Sequence, residues 1–270
     1  MTRLLLINPN ISDSVSALIR AEAERSASPG TTLEVVTAPF GVAYIETRFE
    51  ALIGAYAAAQ LAAEHHERFD AVIVAAFGDP GLGGLREALP CPVTGLTEAA
   101  LASACLLGGR FSIVAISQRI KAWYRETVQH YGLESRLASI RALDEPLADI
   151  GNVQGNQGEA LVALAGRCVA EDGADVIVLA GAPLAGLVSP HHTGATGPCG
   201  AGGPAGAGEK KHTPGLIALS VPELRKLLSH LLWHTSQAIE HVLHWSVWRR
   251  KHQHRARQAH YQRRGFSPPE

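Results

Sequence analysis

The sequence predicts an α/β fold built on parallel sheets, with a local repeat that suggests two pseudo-symmetric lobes, and three observations carry that prediction. Short apolar runs alternate with Ala-, Leu- and Glu-rich segments of helical spacing through residue 188. Such alternation implies parallel strands joined by right-handed crossovers. Two runs, Asp70-Ala-Val-Ile-Val-Ala-Ala76 and Asp175-Val-Ile-Val-Leu-Ala-Gly181, each set an Asp before a strand and a small residue at its end, 105 positions apart. That repeat reads either as two equivalent lobes facing one cleft or as chance similarity between two parallel strands. Finally, the composition changes abruptly after Val188, which bounds the folded unit.

The predicted strands, in order, are Leu4–Ile7, Leu33–Thr37, Ala71–Ala75, Val93–Gly95, Phe111–Ala115, Ile140–Leu143 and Val176–Leu179. Each is a short apolar run, long enough for a strand and too short for a helix. Ser12–Ala27, Phe49–Arg68 and Glu98–Leu107 read as helices by their spacing. In open α/β sheets ligands bind at the carboxyl ends of the strands. The loops of interest are therefore Asn8–Asn10, Phe77–Gly81, Ser117–Arg119 and Gly181–Gly186.

Residues 1–208 carry 13 Lys+Arg against 21 Asp+Glu, whereas residues 209–270 carry 11 against 4. Ten of the 13 His and three of the four Trp follow Val188. Between Ser189 and Gly215, 12 of 27 residues are Gly or Pro, a composition that cannot bury enough surface to offset its ordering entropy. The organisation expected is an acidic domain over 1–188, a disordered linker over 189–215 and a basic helical tail over 216–270. The apolar run near the start, Leu4–Ile7, is too short for a signal peptide or a membrane span, so a cytoplasmic protein without membrane contact is expected.

Several polar residues are candidates for a site, each with an ordinary alternative. Asn8 and Asn10 flank Pro9 and are either cleft residues or turn formers. Ser117 ends a strand and suits either a ligand contact or a helix N-cap. Asp79 reads most simply as a turn residue, and Glu46 with Arg48 as a site pair or a solvated ion pair. The four cysteines, Cys91, Cys105, Cys168 and Cys199, show neither disulfide nor zinc spacing. Cys91 stands before Pro92 at the start of a strand, and Cys105 and Cys168 fall in apolar helices, where structural roles are expected. Cys199 lies in the Gly/Pro linker.

The segments LLLINPN at the first strand, YIETRFE at 44–50, FGDPGL at 77–82, FSIVAIS at 111–117 and EDGADVIVLAGAPLAGL at 171–187 resemble the aspartate/glutamate/hydantoin racemase superfamily, closest to its hydantoin and allantoin racemases. The resemblance covers about residues 1–187. It implies a two-lobed fold without a cofactor, acting on a hydantoin or amino-acid-like small molecule. Two cysteines would face each other across the cleft there, one thiolate taking the proton beside a carbonyl and the other thiol returning it from the opposite face. Strand-end backbone N–H groups would stabilise the enolate. The substrate-binding positions it implies are Asn8, Asn10, Phe77, Gly78, Ser117 and Ala182.

Both cysteine-equivalent positions are altered, to Ala76 and Gly181, and neither residue can move a proton. The ordinary two-thiol reaction is therefore unsupported, and Cys at both 76 and 181, together with a restored last strand, is expected to raise activity. A non-catalytic small-molecule-binding protein using the same cleft is the alternative. The resemblance also implies a last strand and a C-terminal helix in the second lobe, which the Gly/Pro linker is not expected to form. A reading frame interrupted near Val188, by frameshift or mobile-element fusion, accounts for this pattern.

The tail supports a different reading. Leu224, Leu227, Leu228, Leu231 and Leu232 have helical spacing, and residues 249–264 hold seven Lys/Arg and no acid. Residues 215–268 resemble the C-terminal end of an insertion-sequence transposase without its catalytic carboxylates. Weak, non-specific nucleic-acid binding through 249–264 is one expectation, a solvated basic tail the other. His230 and His234 are four apart but no HExxH accompanies them, so no metal is expected. Homo-oligomers are compatible with the sequence.

Overall fold

A computed structural model describes residues 2–144 and 149–187 and the backbone of 215–218. The strands are β1 Thr2–Asn8, β2 Thr31–Thr37, β3 Ala71–Val74, β4 Val93–Gly95, β5 Phe111–Ala115, β6 Leu137–Ala142, β7 Val176–Ala180 and β8 Gly215–Ala218. The α-helices are α1 Asp13–Ser26, α2 Arg48–His65, α3 Leu82–Ala88, α4 Leu96–Leu107, α5 Lys121–His130 and α6 Val153–Ala170.

The strands form two four-stranded sheets in the orders β2-β1-β3-β4 and β6-β5-β7-β8, with every pairing parallel. Adding four to each strand number of the first sheet gives the second. The repeated Asp pattern has a structural counterpart in this symmetry. Asp70 accepts the Arg3 amide at 2.7 Å and returns its own N–H to the Arg3 carbonyl at 2.8 Å. Asp175 does the same with Arg110, at 2.8 and 2.9 Å. Each Asp thus fixes the entry of a central strand to its neighbour.

Helices cover both faces of each sheet, which is why the central strands are mainly apolar, with Ser112 and the ends of β1 as exceptions. All five residues of β5 and of β7 are buried. Leu5, Ile7, Val72 and Val74 pack beneath Ala57, Ala58 and Leu61 of α2, while Leu6 packs with Val15 and Ile19 of α1. In the second sheet Ile113, Val176 and Val178 meet Leu101 and Ala104 of α4 on one face. Val114, Ile177 and Leu179 meet Leu161 and Ala165 of α6 on the other. At about 1.5–3 kcal/mol per fully buried aliphatic side chain, these layers are the main stabilising force.

The second lobe corrects one expectation. Its last strand is present: β8 pairs with β7 from Gly215↔Val176 to Ala218↔Leu179. The sequence reading assigned Leu216 onward to the tail and took the Gly/Pro stretch to exclude a strand. A parallel neighbour needs only a connection of a dozen or more residues and a short apolar run to follow it. The segment between Leu187 and Gly215 meets the first requirement, and Gly215-Leu-Ile-Ala218 meets the second. All but the last residue of the expected linker over 189–215, the C-terminal helix, the remainder of the basic tail, Cys199, His230 and His234 lie outside the described residues.

Candidate functional site

The carboxyl ends of β1, β3 and β7 converge on one pocket lined by Asn10, Tyr44, Ile45, Ala76, Phe77, Tyr124, Gly181 and Ala182, with an empty volume of about 260 Å3 including its mouth. Ala76 and Gly181, the two positions singled out from the repeat, lie on this one pocket. Asn10, Phe77 and Ala182 also line it. Asn8, Gly78 and Ser117 are not among the lining residues, and each has another task.

Asn8 is fully buried behind Asn10. Its Nδ2 donates to Asn10 Oδ1 at 3.0 Å and to Ser16 Oγ at 2.9 Å, and its Oδ1 accepts the Asn10 amide. Ser12 N–H also donates to Asn10 Oδ1, at 2.9 Å. Two donors on Oδ1 settle the orientation of the Asn10 amide. Its Nδ2 has no partner among the described residues and is a free donor on the pocket wall.

Gly78, at φ +100°, donates its N–H to Thr97 Oγ1, and a side chain there would collide with the Trp123 ring. Ser117 caps a short 3-10 turn by accepting the Arg119 amide at 3.3 Å. Asp79, read from the sequence as a turn residue, does more. Its carboxylate accepts the amides of Thr97 and Glu98 at 2.8 and 2.9 Å and the Tyr131 hydroxyl at 2.9 Å, so it caps α4 from a distant loop. Burial pushes its carboxyl above the usual range, against the lowering effect of those three bonds.

Glu46 and Arg48 do not pair with each other. Glu46 binds Arg119 at 2.8 Å, and Arg48 binds Glu126. Both pairs tie the loop and helix start at 46–48 to the second lobe, away from the pocket lining. Glu50 and Thr47 form a capping box that starts α2 and sets the direction of the preceding Tyr44-Ile45 segment.

Tyr44 was not among the residues selected from the sequence, although it opens the YIETRFE segment. Its hydroxyl is buried without a hydrogen-bond partner among the described residues, and the Tyr124 side chain lies near enough to influence its ionisation. Burial pushes the Tyr44 phenol far above its ordinary range, so it is neutral and a donor at physiological pH. Tyr124 is raised for the same reason. Nothing in the Tyr124 helix distinguished it from a core aromatic, and its ring does pack on Phe77 at 4.7 Å.

The described cysteines lie elsewhere. Cys91 packs against the first-lobe core and Cys105 against the second. Cys168 is buried in α6 beside Ser139. Burial pushes the Cys91 and Cys168 thiols up, the opposite of what a reactive thiolate requires. Among the described residues no helix is long and apolar enough to cross a membrane.

Comparison with known proteins agrees with this architecture. The model of the Asp/Glu/hydantoin racemase family matches residues 4–207, reaching past Leu187. A hydantoin racemase of Paenarthrobacter aurescens is 32% identical over 187 residues, covering 68% of this chain and 79% of the relative. The allantoin racemase of Klebsiella pneumoniae superposes with a TM-score of 0.72 at 30% identity, covering 86% of this chain and 88% of that one. The Pseudomonas fluorescens allantoin racemase gives the same TM-score at 28% identity, covering 86% and 91%.

Proposed function

We propose, on the premise that the chain belongs to the Asp/Glu/hydantoin racemase family, that its pocket binds a hydantoin-like or amino-acid-like small molecule without racemising it by a two-thiol route. One observation carries the reading: the two cysteine-equivalent positions, Ala76 and Gly181, line a single pocket. Inversion at a carbon beside a carbonyl needs a base on one face and an acid on the other. Alanine and glycine supply neither, and none of the described thiols lines the pocket. What the pocket retains is the binding half of the chemistry. Asn10 Nδ2 and the Tyr44 hydroxyl are donors for a ligand oxygen, and Phe77 and Ile45 supply apolar walls.

Thermal melts of the full chain with optically pure 5-methylhydantoin, run beside polarimetry and solvent-deuterium incorporation at C5, test this reading. The expected result is a rise in Tm without loss of optical rotation or incorporation above the buffer rate. At a ligand concentration 100 times Kd the stabilisation is about 2.7 kcal/mol. Enzyme-dependent deuterium exchange would overturn the non-catalytic assignment, and an unchanged Tm the binding assignment.

The basic tail favours a second, separate reading. Its seven cations between Arg249 and Arg264, without an acid, suit sequence-blind contact with phosphates. Affinity for duplex DNA that falls steeply with salt, and vanishes when residues 216–270 are deleted, is the expected outcome. Salt-independent or undetectable binding would remove this reading.

A further inference from the structure

We propose that Tyr44 is the specificity-determining contact of the pocket, its hydroxyl taking the place of a side chain at position 181 and donating a hydrogen bond to an uncharged carbonyl oxygen of the ligand. The inference rests on the binding reading above and goes further by naming the group that recognises the ligand and the ligand chemistry it selects.

Three observations converge on Tyr44. A Cβ built on Gly181 falls 3.1 Å from the Tyr44 oxygen, so the hydroxyl stands at the edge of the space that a longer side chain at 181 would enter. Gly181 itself has φ +130°, a conformation that side chains rarely adopt, so the backbone here is suited to leaving that space to a neighbour. The Tyr44 oxygen is buried and has no hydrogen-bond partner among the described residues, and Tyr44 lines the pocket. Buried polar groups are nearly always paired, and an exception on a pocket wall marks a place where a ligand completes the pairing.

The lining also sets the ligand's charge. Among the described residues, no Asp, Glu, Lys, Arg or His lines the pocket. A zwitterion placed there would leave its carboxylate and ammonium without counter-charges, and buried unpaired charges are costly. A neutral ring with carbonyl acceptors makes no such demand and matches the two donors, Tyr44 Oη and Asn10 Nδ2. Burial holds the phenol protonated, which suits a donor and rules it out as a base near neutral pH.

Calorimetric titration of the full chain and of Tyr44→Phe, with 5-methylhydantoin and with alanine as its zwitterionic counterpart, decides the matter. The expected result is a roughly tenfold weaker Kd for 5-methylhydantoin in Y44F, in line with the loss of one hydrogen bond. The free variant should melt at or above the temperature of the parent, because an unpaired buried hydroxyl has been removed. That combination, weaker binding from a protein at least as stable, is one that a purely structural role does not produce. Alanine should bind neither protein measurably.

Equal affinity of Y44F and the parent for 5-methylhydantoin would overturn the inference while leaving the binding reading intact. Comparable affinity of the parent for alanine would overturn the assigned selectivity. No binding of either compound by the parent would sink the binding reading and this inference with it. Should Y44F fail to fold, the near-ultraviolet difference spectrum of the parent answers the same question. A red-shifted tyrosine band on adding 5-methylhydantoin supports donation, and an unshifted band overturns it.

Discussion

At Gly181 the backbone reports more than the residue type does. Alanine at 76 differs from cysteine by one sulfur atom, and its backbone is not among those with positive φ. Glycine at 181 differs in conformation as well, because φ +130° strains any L side chain by about 1–3 kcal/mol. Ala76→Cys is therefore expected to fold with stability within about 1 kcal/mol of the parent and to react with iodoacetamide from the pocket. Gly181→Cys should lose about 1–3 kcal/mol in urea titrations, part of it from crowding against the Tyr44 hydroxyl. An equally stable G181C would show that this backbone relaxes at no cost. The gain expected from cysteines at both positions thus meets a conformational obstacle that residue identity did not reveal. Asn10 could be named as a candidate from the sequence because it lies in the loop after a strand end. Tyr44 could not be, because only burial and an absent partner distinguish it.

Among the elements, α4 illustrates a cap that no local pattern displays. Its N-terminal amides at Thr97 and Glu98 are held by Asp79, which lies before α3 in the chain. Asp79→Ala should cost about 1–3 kcal/mol in denaturant melts, since two helix-end donors and the Tyr131 hydroxyl lose their acceptor together. A loss below about 0.5 kcal/mol would mean that water replaces the carboxylate freely. Strand β6 begins at Leu137, three residues before the sequence expectation of Ile140, because polar Ser139 is satisfied by partners elsewhere. It meets Ser112 across the ladder and Asp172 after α6. Arg141 on the same strand binds Asp172 at 2.6 Å, and these bonds hold the Asp172 carboxyl down to about 2. A depressed carboxyl contributes stability above its ordinary range, and that contribution disappears as the pH falls from about 4 to about 2. Asp172→Asn should flatten this part of the stability–pH curve while leaving the neutral limb parallel. An unchanged acid limb would assign the loss to other carboxylates.

For the molecule as a whole, the matched sheet orders make β8 the counterpart of β4. A chain ending at Leu187 would leave β7 as an edge of buried apolar residues, which invites edge-to-edge association. Light scattering should find that shortened chain aggregated and the full chain monodisperse; equal behaviour would make β8 dispensable. Periodicity alone determined the alternating elements and the parallel sheets, because buried strands and crossover helices leave their signature in neighbouring residues. The local repeat left two equivalent lobes and chance similarity both open. It also placed Ala76 and Gly181 at equivalent strand ends. Only the tertiary structure decided that these ends meet in one pocket, that Tyr44 and Tyr124 share it, and that a strand lies beyond the Gly/Pro stretch. Those facts depend on contacts between residues far apart in the chain, where an unpaired hydroxyl, a counter-charge or an open sheet edge exists only once the lobes have folded.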